Sequence, residues 1–419
     1  MNKVKSYEIS KKLIFDAYKA VKANKGTAGI DFITMEKFDK NVKNNLYKLW
    51  NRMSSGTYFP KPVKAVSIPK SSGGTRILGI PTIEDRIAQM VCKMSLEPHV
   101  EPYFLNDSYG YRPNKSAHDA IKVTRTRCWK YNWVLEFDIK GLFDNINHTI
   151  LMKIVRKHAK NKWEILYIER WIKAPLIKTN ESKEEEPKER TNGIHQGGVT
   201  SPLLANLFLH YAFDSWMNRE FPDAPWCRYA DDGLIHCRTK KQAEYFLSCL
   251  IARMKRYELE IHPGKTKIVY CKDSNRREQT ENPIQFDFLG FTFRPRKSKA
   301  RNGNSFTSFL PAISNKAKIH IRQAIHSWRL LRQTQTNLQK LARKYNAVIR
   351  GWSNYFGLYG RGELMNVLCH INKHLVMWIM RKFKRYRRKF VQACRFLQFV
   401  AKANPSLFAH WKLGIFSAT

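Results

Sequence analysis

Residues Trp133 to Asp138 alternate with a period of two, and the alternation ends on a carboxylate. Trp133, Leu135 and Phe137 fall on one side, and Val134, Glu136 and Asp138 on the other, which is the pattern of a β-strand. Far downstream, the run Cys227 to Cys237 sets Asp231 and Asp232 between two short apolar, β-prone segments. Asp-Asp-Gly is turn chemistry, so this run predicts a β-hairpin with two carboxylates at its tip. Taken singly, such a turn is a solvated loop and an Asp closing a strand is a cap. If strand and hairpin lie side by side, however, Asp138 and Asp231 can share divalent cations. That is the apparatus of nucleotidyl transfer, where two metal ions stabilise the attacking and leaving oxygens.

Charge narrows the partners. The chain has 75 Lys and Arg against 34 Asp and Glu, a net charge of +41. Such an excess repels itself unless a polyanion is present, and its spread along the chain implies an extended binding surface. Aromatic residues, 13% of the total, supply stacking groups for bases. No apolar run reaches the ~18 residues of a membrane-spanning helix, and no signal peptide is visible. The expected place is therefore the cytoplasm, with no membrane partner. Eight cysteines occur without a CxxC pair, which argues against a zinc site and against a disulfide framework.

Around these landmarks the chain reads as mixed helix and strand. Residues 1–55 are helical with polar joints, and Lys22 to Asp31 is a glycine-bearing loop. Residues 58–82 predict a hairpin with a Gly73-Gly74 turn flanked by Lys70 and Arg76, both able to point at one anion. Residues 83–131 are helical, with a capping-box pattern at Ser116–Asp119. Asp144 is expected to cap a helix. Ser201 is expected as an N-cap with Pro202 at the first helical position, followed by an apolar stripe of Leu204, Leu207, Phe208 and Tyr211. Residues 181–190 form a mixed-charge, exposed hairpin tip or loop. From 312 to 395 the chain is basic and helical. Ile321, Ile325, Trp328 and Leu331 share one face, and Leu338, Leu341, Tyr345, Val348 and Trp352 share another, which makes a bundle of two or three helices.

Three boxes in order carry a family resemblance. Tyr229-Ala230-Asp231-Asp232 resembles the active-site box of reverse transcriptases. Phe137 to Asp144 resembles their first catalytic strand, and Gln196 to Asn206 resembles the box before their long palm helix. Ile349 to Phe356 is similar to the core of the group II intron maturase domain, which retron and diversity-generating enzymes lack. The chain thus resembles a group II intron reverse transcriptase and maturase over nearly its whole length. Where that family more often has Thr-Pro before the Gln, this chain has Ile194-His195. Many members also carry an HNH-type nuclease built on cysteine pairs, and none is expected here.

The resemblance implies an α+β right-hand polymerase, with fingers, a palm built on an antiparallel sheet, and an α-helical thumb/maturase bundle. The expected boundaries are 1–57 for an N-terminal extension and 58–300 for fingers and palm. Residues 301–395 would be the thumb, and 396–419 a short remnant that could bind DNA. It implies an RNA-directed DNA polymerase with catalytic Asp138, Asp231 and Asp232, and two Mg²⁺ held by those carboxylates with the Ile139 carbonyl as an extra ligand. Lys70, Arg76, Phe143, Gln196 and Lys265 would bind the deoxynucleoside triphosphate, with Phe143 excluding a 2′-hydroxyl. Asn24, Lys25, Gly26 and Arg112 would meet template. Arg350, Trp352, Tyr355, Arg381, Lys382, Lys384 and Arg385 would meet RNA. The expected partners are group II intron RNA, an RNA template with its DNA primer, and target DNA, with the chain assisting splicing and target-primed reverse transcription. Two other jobs fit the same residues. One is a reverse transcriptase domesticated for defence or DNA repair, and the other an RNA-folding maturase that keeps a polymerase shell.

Overall fold

The structure, a computed structural model, describes residues 6–69, 74–178, 190–276, 281–300 and 302–417. Its strands are β1 (Val63–Pro69), β2 (Thr75–Ile80), β3 (Trp133–Asp138), β4 (Leu176–Lys178), β5 (Trp226–Tyr229), β6 (Asp232–Cys237), β7 (Lys267–Tyr270), β8 (Phe286–Phe288), β9 (Phe291–Lys299) and β10 (Ser305–Ile313). Helices occupy most of the remainder. The chain divides into two compact units. One comprises the residues up to Ser116 with Leu135–Ile235 and Lys241–Lys267, and the other comprises Ala117–Val134, His236–Lys240 and the residues from Ile268 onward. None of the helices among the described residues is long and apolar enough to cross a membrane.

In the first unit, β1 is the middle strand of a three-stranded sheet. It pairs antiparallel with β2, from Lys64 opposite Ile80 to Pro69 opposite Thr75, and parallel with β4, with Val63 opposite Leu176. Residues 70–73 at the tip of this hairpin, Lys70 among them, lie outside the described residues, as do 179–189 of the mixed-charge run. A second sheet places β6 between β5 and β3. The strand expected at Trp133–Asp138 forms with those bounds, but Val134 on the opposite side is as buried as Trp133 and Leu135.

The palm helix begins at Ser201, and Thr200 rather than Ser201 occupies the cap position. The expected apolar stripe does not describe it. Ser201 and every residue from Leu203 to Leu209 are buried, so the helix is enclosed nearly all round. It then loosens into a π-turn over His210–Asp214 before resuming at Ser215–Glu220. Arg253 donates to the carbonyls of Ala212 (3.0 Å) and Tyr211 (2.9 Å), backbone groups of that widened turn. Asp144 is no cap. It lies inside the short helix Leu142–Asn145, and Asn147 caps the next helix by accepting from the Ile150 N–H.

In the second unit, β9 pairs with β8 and with β10, both antiparallel. The β8–β9 turn puts Leu289 and Gly290 at φ of 51° and 78°, the left-handed geometry of a two-residue hairpin. Four helices follow, Asn315–Ser327, Leu338–Phe356, Arg361–Lys382 and Phe390–Ala403, more than the two or three expected. Ile321, Ile325, Leu341, Ile349, Leu368 and Trp378 lie in one core. On the second helix Ile349 is buried and Val348 is 46% exposed, one position off the expected face. Likewise Leu330, not Leu331, is the buried leucine after the first helix. The expected boundary at 395 falls inside the helix Phe390–Ala403. Beyond it, Phe408, Trp411 and Ile415 join the same core, tied by Asn372 to Trp411 Nε1 (2.9 Å) and the Ile415 carbonyl (2.9 Å).

Candidate active site

The site is assembled where β3 ends and β5 turns into β6, wholly within the first unit. Tyr229 pairs with Asp232, so the turn residues are Ala230 and Asp231, and Asp232 already belongs to a strand. The turn chemistry is therefore not the expected Asp-Asp-Gly. Ala230 supplies the left-handed residue, at φ 57°. Gly233 serves packing instead: a Cβ there would stand 2.1 Å from the Phe137 ring. With no side chain at 233, Phe137 fills the space under the turn and packs against Phe213, ring centroids 5.1 Å apart and planes tilted by 54°.

The three carboxylates converge. The Ile139 N–H points to the Asp231 carbonyl at 3.4 Å. The Asp232 carboxyl shares a hydrogen bond with Asp138, and both Asp231 and Asp232 feel the charge of Asp138. Burial of the carboxyl among its neighbours pushes Asp232 up to about 7, with repulsion from Asp231 and then Asp138 adding to it, although the residue as a whole is exposed to solvent. Asp231 is raised as well, chiefly by burial and then by Asp138, while Lys265 and Arg76 pull it down. One cation already sits in the cluster: Lys265 Nζ lies 3.0 Å from Asp138 Oδ2. The backbone locks that corner, with the His262 N–H donating to the Asp138 carbonyl at 2.8 Å.

This donor set suits a hard divalent ion, which takes oxygen ligands from carboxylates and carbonyls. Burial and mutual repulsion raise the proton affinity of Asp231 and Asp232, so the cluster lacks positive charge, and Lys265 supplies only part of it. Among the described residues no three His, Cys, Asp or Glu side chains are splayed as a ready metal cage.

The other expected residues fall in several places. Arg76 is exposed at the start of β2, within electrostatic reach of Asp231. Leu142 is the core residue beside a half-buried Phe143, whose carbonyl accepts from the Ile194 N–H at 2.7 Å. Gln196 is half-buried, and its carbonyl accepts from the Gly79 N–H of β2 at 2.7 Å. Gly197 (φ 111°) permits that approach, since a Cβ would stand 2.5 Å from the Gly79 carbonyl. The departure at His195 is built in: Nε2 meets the Ala174 carbonyl and Nδ1 meets Arg190, both at 3.0 Å. Burial and the nearby Arg190 lower its pKa to about 4.

Asn24, Lys25 and Gly26 form an exposed loop after the first helix. Gly26 is packed so closely on Arg86 that a Cβ would clash with the guanidinium. In place of the expected template contact, Arg112 turns inward. Its side chain is 5% exposed and binds Glu101 and the carbonyls of Leu105 and Ser108. In the second unit Arg350 is exposed, whereas Trp352 stacks on Trp328 and the Tyr355 hydroxyl donates to the Leu289 carbonyl. Lys382 closes on the carbonyls of Thr334 and Thr336, both at 2.7 Å, which leaves Arg381, Lys384 and Arg385 as the exposed members of that run.

Sequence reading missed Tyr111 and Arg228. Tyr111 is non-glycine at φ 58° and half-exposed. Its pKa is raised by burial and then by Asp231, which marks it as a neighbour of the acids. Arg228 is fully buried on β5, one residue before the pair that closes the turn, and its signal was a lone cation inside an apolar strand.

The geometry defines a class, and comparison places the chain within it. The chain belongs to the reverse transcriptase (RNA-dependent DNA polymerase) family, whose model matches residues 68–293. A second match, to the group II intron maturase-specific domain, covers residues 319–395 and sets the chain among intron-encoded reverse transcriptases. The chain is similar to the protein YkfC of Escherichia coli K12, 31% identical over 285 residues that cover 59% of this chain and 73% of that one. It is also similar to the group II intron-encoded protein LtrA of Lactococcus lactis, 25% identical across 88% of this chain and 72% of that one. Among solved structures, telomerase from Candida albicans aligns with a TM-score of 0.46 and 13% identity, covering 91% of this chain and 67% of that one. The expected fold class and the RNA-directed DNA polymerase activity are both borne out.

Proposed function

We propose that the chain copies its own intron RNA into DNA at a cut or nascent target strand, and that it grips the folded intron to assist splicing. The observation that carries this reading is the convergence of Asp138, Asp231 and Asp232, in a chain whose residues 319–395 match the maturase-specific domain. Asp138 and Asp231, with the Ile139 carbonyl, would hold two Mg²⁺, and Asp232 sets the field around them. Bound there, the ions supply charge stabilisation for the attacking and leaving oxygens of phosphoryl transfer. Arg76 and Lys70 neutralise the triphosphate of the incoming nucleotide, as guanidinium and ammonium groups do for phosphate oxygens. Lys265, held on Asp138, stands where it can turn to the leaving pyrophosphate. Phe143 lies two residues past the Gly141 turn, beside the sugar, and Gln196 borders the nascent pair.

RNA is held by charge and stacking. The exposed loop Asn24–Gly26 faces template, and Arg350, Arg381, Lys384 and Arg385 take intron phosphates. Work on nucleic acid puts the chain in the bacterial cytosol or nucleoid. The test is primer extension on an RNA template alongside a splicing assay on the intron RNA. Asp138→Asn and Asp231→Asn should each abolish cDNA synthesis while RNA binding and splicing persist. Parallel loss of RNA binding would assign these acids to folding, and intact cDNA synthesis would remove them from the chemistry.

A further inference from the structure

Beneath the catalytic turn lies an ion pair that none of the assigned roles uses. Arg228 is fully buried, and each of its five N–H donors has an acceptor. Nε and Nη2 fork onto Asp214 at 2.7 and 2.6 Å. The remaining donors reach Ser108 Oγ (2.8 Å), Asn206 Oδ1 (3.1 Å) and the Ala230 carbonyl (3.0 Å). Asp214 is itself fully buried, at the end of the π-turn. Asn206 in turn donates to the Gly110 carbonyl at 2.6 Å, and Gly110 is so close to Ala230 that a Cβ would stand 2.5 Å from its nitrogen. The 108–110 segment runs along β5, with the Tyr109 N–H donating to the Arg228 carbonyl at 2.9 Å.

We infer that Arg228 is a positioning residue for polymerisation, fixing from within the sheet the left-handed turn that presents Asp231. Its contacts single out that turn. Ala230 holds a conformation that L-residues adopt reluctantly, and the carbonyl of this residue is the backbone acceptor Arg228 takes. The π-turn belongs to the same device, because its last residue, Asp214, is the carboxylate on the guanidinium, and such turns are frequent at functional sites. A planar fork is needed: an ammonium cannot meet both carboxylate oxygens and also reach Ala230.

The role rests on Asp231 as a metal ligand, so the test includes Asp231→Asn as a comparator. Mn²⁺ binding is read by electron paramagnetic resonance on the full chain without nucleic acid, and primer extension gives kcat and KM. Asp214→Asn keeps the shape but weakens the fork. It should lower kcat about 10- to 100-fold, the scale of a small misplacement remote from the chemistry. KM for nucleotide and affinity for primer–template should stay within about twofold, and Mn²⁺ affinity should fall about tenfold, as expected for a shifted ligand. A folded Asp214→Asn protein with parental kcat and Mn²⁺ binding overturns the inference and leaves a buried pair that serves stability alone. If that variant does not fold, Ser108→Ala removes one acceptor at little cost in volume. A several-fold loss of kcat there supports the role, and an unchanged kcat ends it. If Asp231→Asn abolishes Mn²⁺ binding and Asp214→Asn does not alter it, positioning fails and the metal assignment stands. If Asp231→Asn binds Mn²⁺ normally, the metal assignment fails, and kcat alone judges Arg228.

Discussion

Gly233 and Phe137 show how far a single methyl group reaches in this palm. Gly233→Ala would drive a Cβ into the Phe137 ring. Overpacking of this kind costs about 1–3 kcal/mol, and here it also moves the strand that bears Asp138. Chemical denaturation should show that loss together with reduced primer extension, and Phe137→Leu in the same chain should restore part of both. The acids themselves set a pH dependence. Asp232 has its pKa raised to about 7 by burial and by its neighbours, above the ~3.9 of an unfolded Asp. The folded state therefore holds a proton that the unfolded state releases. This favours folding at low pH, and the advantage is lost as pH climbs from about 4 to about 7. The metal-free protein should accordingly melt at lower temperature at pH 8 than at pH 6, and Asp232→Asn should flatten the difference. Cation binding at pH 7 should release protons, measurable by calorimetry in buffers of differing ionisation enthalpy. The acids were legible because a strand and a hairpin are local patterns, although the turn itself is Ala230-Asp231 rather than Asp-Asp-Gly. Arg228 and Asp214 were not, since nothing near either residue announces a partner 14 positions away.

Among the elements, the palm helix best shows what periodicity can and cannot read. Its start was placed within one residue, because Pro202 and the preceding polar pair punctuate the chain. Its enclosure was not foreseen: a run as apolar as Leu203–Leu209 fits an amphipathic stripe and a buried rod equally well. The π-turn left no mark in the sequence, since its stabilisation comes from Arg253, on another helix. Arg253→Met should cost about 1–3 kcal/mol through loss of its two charged hydrogen bonds to these carbonyls, read as a lowered urea midpoint at unchanged slope. In the last bundle Leu331 falls past the helix, which ends at Ser327 before Arg329 turns left-handed at φ 47°, whereas the one-position error at Val348 lies within a helix. The helical period is not an integer, so a stripe drawn at three- and four-residue steps drifts unless a cap fixes its phase. Asn337, which caps the helix Leu338–Phe356 by accepting from the Lys340 N–H, supplies that phase.

Across the whole molecule, a net charge of +41 makes ionic strength the natural variable. RNA affinity should fall linearly on a log–log plot against salt, with a slope set by the phosphates neutralised. Replacing Arg381, Lys384 and Arg385 together by Gln should flatten that slope by about 2 if each takes one phosphate of a single strand. Asp138→Asn should leave it unchanged, which separates grip from chemistry in one titration. The polymerase class was legible at this scale because three boxes stand in order. The division into units was not, since Ala117–Val134 joins residues beyond Ile268, far from it in sequence.

The pairing of β1 with β4 bears on how the protein is born. Val63 on the first strand finds Leu176 on its parallel neighbour only after more than a hundred intervening residues have left the ribosome. At ~5–20 residues per second, one flank of the β1–β2 hairpin waits roughly 5–20 s for its companion. Ile68 and Ile77, both more than a third exposed even in the finished fold, lie on that hairpin. A nascent chain in this interval offers an open sheet edge, and its yield on expression should rise when translation beyond residue 80 is fast or when a chaperone shields the edge.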